Sequence, residues 1–154
     1  MLHKFNHIRK FISTEELNRL QEKIISIESK TSGEIRLCLK NRINFFEKPD
    51  NAVGLAKKFF YKYGMYKTAE KNGVLILVLF RERKAAIIGD SGIHEKINDG
   101  FWDKVIAEMT EHFKNGKYYE GILSALEKVG NELARNFPRK SDDVNELKDD
   151  IIIK

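Results

Sequence analysis

Apolar residues recur at helical spacing in four stretches of the chain. The first stretch follows a capping box, in which Ser13 accepts from the amide of Glu16 and the Glu16 side chain accepts from the amide of Ser13. The other helices are predicted over residues 51–63, 100–115 and 118–136. Their N-caps are Asp50 for the second and Asn98 or Asp99 for the third, and Pro138 ends the fourth. The predicted buried stripes are Leu17, Leu20, Ile24 and Ile27; Val53, Ala56, Phe60 and Tyr63; Trp102, Val105, Ile106, Met109 and Phe113; and Tyr119, Ile122, Leu123, Leu126, Val129 and Leu133.

Three other stretches are typical of β-strands. Residues 34–40 alternate apolar and polar positions, whereas residues 74–80 are apolar throughout, which is typical of a strand buried on both faces. Residues 84–89 follow after a three-residue break, which is too short for a crossover helix and therefore predicts an antiparallel hairpin. The first strand joins the second through the helix at 51–63, which predicts a parallel pair. The last apolar run, Ile151 to Ile153, is either an edge strand or a segment docked on the body.

The order of these elements predicts an α/β fold. We expect a three-layer α/β/α sandwich, with a small mixed β-sheet made of a βαβ unit plus a hairpin and helices on both faces. Residues 13–138 form one domain in this interpretation. Residues 1–12 are an N-terminal extension, and residues 139–154 are an acidic C-terminal tail, predicted to be solvated because it contains Asp142, Asp143, Glu146, Asp149 and Asp150. The segment Asp90-Ser91-Gly92 is predicted as a turn after the strand at 84–89.

The composition and the lengths of the apolar runs argue against disulfide-linked, zinc-ribbon, membrane-spanning and secreted proteins. The chain has 154 residues, a net charge of +5 and one cysteine, so it has no intramolecular disulfide and no four-cysteine zinc site. The longest apolar run is shorter than the roughly 20 residues that span a bilayer, and the polar, basic N-terminus lacks the apolar stretch of a signal peptide. We therefore expect a soluble, cytoplasmic protein without a membrane partner, whose oligomeric state the sequence leaves open.

Carboxylates are predicted to meet at one edge of the sheet. Asp90 follows the strand at 84–89, which is antiparallel to the central strand at 74–80. Glu34 begins the strand at 34–40, which is parallel to the central strand. Both residues are therefore predicted to lie at the edge of the sheet where the central strand begins. The loop after Asp90 brings Asp99 and Asp103 towards the same edge. Clustered carboxylates repel one another unless a cation or a proton intervenes, and Ca²⁺ takes about 6–8 oxygen ligands. The alternatives are turn chemistry for Asp90, an N-cap or helix-dipole role for Asp99 and Asp103, and a surface ion pair for Glu34.

Nucleophilic phosphatase motifs are missing from the sequence. Cys38 lacks the arginine six residues later that a thiolate phosphatase needs, and we interpret it as a packing residue. There is no Asp-x-Asp after a strand, no Walker loop and no His-Glu-x-x-His. Catalysis of phosphate hydrolysis would therefore need a metal ion. His94 is the candidate general acid or metal ligand, and the alternative for it is a surface histidine that only makes hydrogen bonds.

The helix at 51–63 and the segment after it are rich in lysine and aromatic residues. This pattern suits an anion-binding or protein-binding surface, and equally the solvated face of a helix whose other face is buried. No recognised nucleic-acid motif accompanies it, so nucleic-acid binding is not indicated. A protein partner remains an open possibility.

Several phrases of the sequence resemble the TPM-domain family, which is named for a thylakoid acid phosphatase, a photosystem II repair protein and a nematode receptor modulator. The phrases are Thr31-Ser32-Gly33-Glu34-Ile35-Arg36, Asn72-Gly73-Val74-Leu75-Ile76, Arg83 to Asp90 with Gly92-Ile93-His94, and Phe101-Trp102. The resemblance, which spans residues 12–138, is to small stand-alone bacterial members. It implies the sandwich fold, Ca²⁺ or another divalent cation in some members, and phosphatase activity in some plant members. Many relatives carry a signal peptide and a membrane anchor that this sequence lacks.

Overall fold

In a computed structural model, the chain is described over residues 6–44, 51–140 and 151–154. The helices are α1 (Thr14–Glu28), α2 (Ala52–Lys62), α3 (Ser91–Lys96), α4 (Asp99–Lys114) and α5 (Tyr118–Asn136), and the strands are β1 (Glu34–Lys40), β2 (Gly73–Leu79), β3 (Lys84–Gly89) and β4 (Ile151–Ile153). Within these ranges, no helix has the length and apolar content needed to cross a membrane.

The strands form one mixed sheet in the order β3-β2-β1-β4. β1 pairs parallel with β2, and Glu34 is opposite Gly73 at the start of the ladder. β2 and β3 form the predicted antiparallel hairpin, in which Val74 is opposite Gly89. β4 pairs parallel with β1, so the terminal isoleucines form an edge strand, which is one of the two arrangements left open by the sequence.

Helices cover both faces of the sheet, which confirms the predicted α/β/α sandwich. α2 packs on β2 and β3 from one side. On the other side α1 and α4 contact the sheet, and α5 packs against both of these helices. The two apolar cores are separated by the sheet, and β2 contributes alternate side chains to each of them, as its uninterrupted apolar run predicts.

The described part of the N-terminal extension is packed into the larger core. Ile8 and Ile12 are completely buried. The ring of Phe11 stacks on Phe80 at 5.0 Å between centroids. These residues precede the capping box at Ser13, which is present in the structure as predicted. The acidic stretch of the predicted tail, residues 141–150, lies outside the described residues.

One local prediction, the turn after β3, is wrong. The turn predicted at Asp90-Ser91-Gly92 is the start of α3, since Asp90 is an effective N-cap and its side chain accepts from the amide of Ser91. For α4, the N-cap is Asn98, one of the two residues predicted for that position, and its Oδ1 accepts from the amide of Gly100 at 2.7 Å. For α2, the predicted N-cap Asp50 lies outside the described residues, and the structure places Asn51 at that position without a side-chain cap.

The buried face of α2 also differs from the prediction. Val53 is 53% exposed, and the buried residues of the helix are Ala52, Leu55, Ala56, Phe59 and Phe60. Burying leucine and phenylalanine removes more apolar area from water than burying valine, so the helix turns its larger side chains towards the sheet. The stripes predicted for the other helices are confirmed, except that Leu17, Ile106, Tyr119 and Leu123 are half-buried.

Candidate functional site

Glu34 and Asp90 lie at the same edge of the sheet, as predicted. Glu34 is opposite Gly73 in the parallel ladder, and the amide of Asp90 donates to the Gly73 carbonyl at 3.0 Å. Glu34 at the start of β1, Gly73 at the start of β2 and Asp90 just after β3 therefore form one row across the sheet, with Gly73 in the middle. The backbones of Glu34 and Asp90 are two strand spacings apart, which is about 10 Å. Glu34 is almost fully buried, with 3% of its surface exposed.

The two carboxylate oxygens of Asp90 have different surroundings. Oδ1 accepts from the amide of Ser91 at 2.7 Å and caps α3. Oδ2 is buried and has no hydrogen-bond partner among the described residues. The backbone of Asp90 is also held, because its carbonyl accepts from the amides of Ile93 and His94. The side-chain hydrogen bond to a nearby amide that was considered for Asp90 is thus present, as a helix cap, and it uses only one of the two oxygens.

Asn72 lies between Glu34 and Asp90 and was not singled out from the sequence as a site residue. Its carbonyl accepts from the amide of Glu34 at 3.3 Å, and it directly precedes Gly73, which binds Asp90. Its side chain is 1% exposed; Nδ2 donates to the Ser32 hydroxyl at 3.2 Å, whereas Oδ1 is buried without a hydrogen-bond partner in the described part of the chain. Two oxygen acceptors, one from Asn72 and one from Asp90, are therefore unsatisfied at this edge.

The start of α3 is held directly against the segment before β2. The amide of Gly92 donates to the carbonyl of Lys71 at 2.9 Å. A Cβ on Gly92 would lie 2.3 Å from the carbonyl oxygen of Glu70, so only glycine allows this approach. The Glu70 side chain in turn accepts from the Ser32 hydroxyl at 2.7 Å. Backbone carbonyls and polar side chains thus line the edge on the side of Asn72.

The other predicted ligands lie farther out. His94 Nδ1 and Asp99 Oδ1 are 3.5 Å apart, with side chains that are 57% and 85% exposed. Asp103 is exposed one turn later on α4. Across residues 6–44, 51–140 and 151–154, no three His, Cys, Asp or Glu side chains are grouped so that they could hold a metal ion. The structure therefore brings Glu34 and Asp90 to one row and His94 to Asp99, but it does not gather all four carboxylates into one cluster.

Cys38 is fully buried in the core between the sheet and α2, in agreement with its interpretation as a packing residue. Burial raises the pKa of its thiol to about 12, and nearby cationic groups, first among them Lys154, lower it only partly. A thiol with this pKa is not a nucleophile near neutral pH.

Comparison with known proteins identifies relatives of this chain. A family model described as the TPM domain matches residues 6–132. No curated protein matches the chain significantly. The NMR structure of the BA42 protein from the psychrophilic bacterium Bizionia argentinensis is 34% identical, covers 92% of this chain and 94% of its own, and superimposes with a TM-score of 0.81.

Two further structures share the fold. The N-terminal domain of a protein from P. gingivalis is 20% identical, with a TM-score of 0.62, and the match covers 82% of this chain and 79% of that domain. The N-terminal domain of the cg2496 protein from Corynebacterium glutamicum is 15% identical, with a TM-score of 0.60, and the match covers 88% and 81%. The family match spans most of the chain and agrees with the structural neighbours. The chain belongs to the TPM-domain family.

Proposed function

We propose that this TPM domain binds a divalent cation, Ca²⁺ as the first choice, at the sheet edge formed by Asp90, Asn72 and Glu34. The observation that carries the proposal is the pair of buried oxygens, Asp90 Oδ2 and Asn72 Oδ1, that have no hydrogen-bond partner among the described residues. Leaving a buried acceptor unsatisfied costs about 1–3 kcal/mol. A cation that accepts lone pairs from both oxygens removes this cost.

The chemistry of the donor set favours a hard cation. The nearby groups are carboxylate, amide and backbone carbonyl oxygens, which are the ligands of Ca²⁺ and Mg²⁺ rather than of softer metals. Ca²⁺ tolerates irregular coordination that is completed by water, whereas Mg²⁺ demands a near-ideal octahedron. Asp99 and Asp103 lie at the exposed start of α4, and in this proposal they attract the cation by their charge without forming the inner set of ligands.

Calcium titration monitored by amide chemical shifts tests the proposal. We expect saturable shifts at Asn72, Gly73 and Asp90 to Gly92. Asp90→Asn keeps an N-cap oxygen but removes the charge, so it should weaken binding about tenfold or more. Asp103→Asn removes the same charge at an exposed position and should weaken binding only about twofold. If Ca²⁺, Mg²⁺ and Zn²⁺ all leave these amides unmoved in the unaltered protein, the proposal is wrong.

A second candidate function, hydrolysis of a phosphate monoester, is favoured by the contact between His94 and Asp99. His94 lies one helical turn after Asp90, and the carboxylate of Asp99 at 3.5 Å can orient its ring. A bound cation would supply the charge stabilisation and the activated water that this reaction needs. In this proposal His94 donates a proton to the leaving oxygen, and Asp99 holds the imidazole in position.

Two substrates with different leaving groups test whether His94 acts as the general acid. Phenol needs a proton to leave, whereas p-nitrophenol leaves as the anion, so His94→Gln should lower the hydrolysis of phenyl phosphate by about 100-fold and that of p-nitrophenyl phosphate much less. His112→Gln, in the last turn of α4, where the ring bonds the carbonyl of Glu108, is the matched control and should change neither rate. Equal loss with both substrates, or no Ca²⁺- or Mg²⁺-dependent hydrolysis at all, would exclude the general-acid assignment.

A further inference from the structure

The outward face of α2 carries an unusual share of the exposed apolar surface. Among the described residues, four large hydrophobic side chains are exposed, and three of them are Val53 (53%), Tyr61 (67%) and Tyr66 (40%). Val53 and Tyr61 lie about two turns apart on the exposed side of α2. Tyr66 follows shortly after the end of the helix. Single exposed apolar residues are ordinary, but three on one face mark a contact surface.

The same face is positively charged, and the stretch of sequence that forms it contains no acidic residue. Lys57, Lys58 and Lys62 are exposed on α2, and Lys67 follows. Residues 52–69 contain no aspartate or glutamate. Within the described ranges, the ion pairs do not include any of these four lysines. These four charges, which form no ion pair among the described residues, are comparable to the net charge of the whole chain, which is +5.

The aromatic rings of Tyr61 and Tyr66 are in contact. Their rings are 5.8 Å apart between centroids at an angle of 38°, and Lys67 Nζ lies 5.8 Å from the centre of the Tyr66 ring. Rings that are already packed together lose little conformational entropy when a partner covers them. Tyrosine is also enriched in the buried centres of protein interfaces.

We propose that this lysine–tyrosine face, formed by Val53, Tyr61, Tyr66 and the lysines at 57, 58, 62 and 67, binds an acidic segment of a protein partner. Tyr61 and Tyr66 contact apolar side chains of the segment. The lysines surround them and pair with its carboxylates. This surface is separate from the proposed cation site, and neither proposal depends on the other.

The face suits a protein better than a phosphate-rich surface. Residues 52–69 contain no arginine, the side chain that binds phosphate through two parallel hydrogen bonds. A membrane-surface helix inserts its apolar side, but the apolar side of α2 is already buried on β2 and β3. Nonspecific binders of single-stranded nucleic acid line a groove with stacking rings, whereas here the rings stand on one side of a helix.

Amide chemical-shift titration with a short synthetic peptide of alternating glutamate and leucine tests the proposal on the full chain. We expect shifts confined to residues 53–67 that weaken as salt is added. The triple substitution K57E/K58E/K62E should lower the affinity about tenfold or more. Y61A/Y66A should lower it about threefold or more without changing its salt dependence, because these rings contribute apolar contact.

The matched control is K104E/K114E/K117E, which changes the net charge equally at exposed positions on and after α4. It should leave peptide binding within about twofold of the original. Equal losses in the two triple variants would mean that only net charge matters and would overturn the proposal. Absence of peptide-induced shifts, or stronger shifts at the same residues with an oligo(dT) strand or with phosphatidylserine vesicles, would also overturn it. Circular dichroism of each variant shows whether the fold is retained.

Discussion

The carbonyl oxygen of Met65 lies 2.5 Å from the position that a Cβ on Gly73 would occupy. Gly73 stands between Glu34 and Asp90 in the row that forms the candidate cation site. Because Gly73 has no side chain, the segment after α2 can pack on the start of β2. Its backbone carbonyl accepts from the amide of Asp90 and so holds the residue that caps α3.

Gly73→Ala should destabilise the protein, because the new methyl group collides with backbone rather than with a movable side chain. We expect a loss of about 2–3 kcal/mol in the free energy of unfolding, measured by urea denaturation. The matched control is Gly54→Ala within α2, where the obstacle is the end of the Asn51 side chain and alanine is the better helix former. Gly54→Ala should be neutral or stabilising. Equal losses in both variants would contradict this account of Gly73.

Thr31→Val should destabilise the protein through buried hydrogen bonds. The Thr31 hydroxyl shares its one proton between the carbonyls of Leu133 and Phe137 at the end of α5, and it accepts from the amide of Gly33 at 3.0 Å. Both carbonyls also accept backbone amides, so valine, which keeps the shape, leaves only the buried Gly33 amide without its acceptor, and this costs about 2 kcal/mol. Thr110→Val is the control, since its hydroxyl bonds only to the carbonyl of Ala107 in its own helix. Thermal unfolding that shifts equally in the two variants would refute the prediction.

The stability of the protein should fall in alkaline solution because of Cys38. The thiol has a pKa of about 12 when folded, against 9.0 when exposed, so the unfolded chain releases its proton first as the pH rises. The stabilising contribution is therefore complete below pH 9.0 and is lost between 9.0 and about 12, with a limiting slope of about 1.4 kcal/mol per pH unit. Urea unfolding at several pH values in this window measures it.

Cys38→Ala provides the reference for that experiment. The variant loses packing at every pH, but it lacks the ionisable group, so its stability should depend less steeply on pH above 9.0. Lysine and tyrosine residues contribute equally to both proteins and cancel in the difference. Parallel curves for the two proteins would show that burial of the thiol contributes nothing to the alkaline loss.

Ca²⁺ should raise the melting temperature if it binds the folded edge. At a free concentration one hundred times the Kd, a single site stabilises the folded state by about 2.7 kcal/mol. For a chain of this length that corresponds to an increase in Tm of about 5–10 °C. Asp90→Asn, with binding weakened tenfold or more, should reduce the shift by about half or more at the same Ca²⁺ concentration, and excess chelator should reverse it. A Tm that is the same with and without Ca²⁺ would count against the site, whatever the behaviour of the lysine–tyrosine face.

Local pattern was enough to predict most elements and their pairing. The capping box at Ser13, the uninterrupted apolar run of β2 and the short break before β3 each restrict the backbone within a few residues, so they predict a helix start, a central strand and a hairpin. The prediction that Glu34 and Asp90 share an edge followed from that topology alone. The buried face of α2 was not predictable from periodicity, because two apolar stripes lie side by side on the helix. Packing on the sheet buries Phe59 and leaves Val53 exposed.

Tertiary structure decided the details of the candidate site. The unsatisfied oxygen of Asn72 depends on its position between Glu34 and Asp90, and that position depends on contacts between segments far apart in the chain. The close approach of Gly92 to Glu70 likewise follows from three-dimensional packing. Periodicity reports which side of an element is buried, but it carries no information on which polar atoms from different elements meet. For that reason the sequence determined the fold of this TPM domain, whereas the distances that separate its carboxylates were settled only by folding.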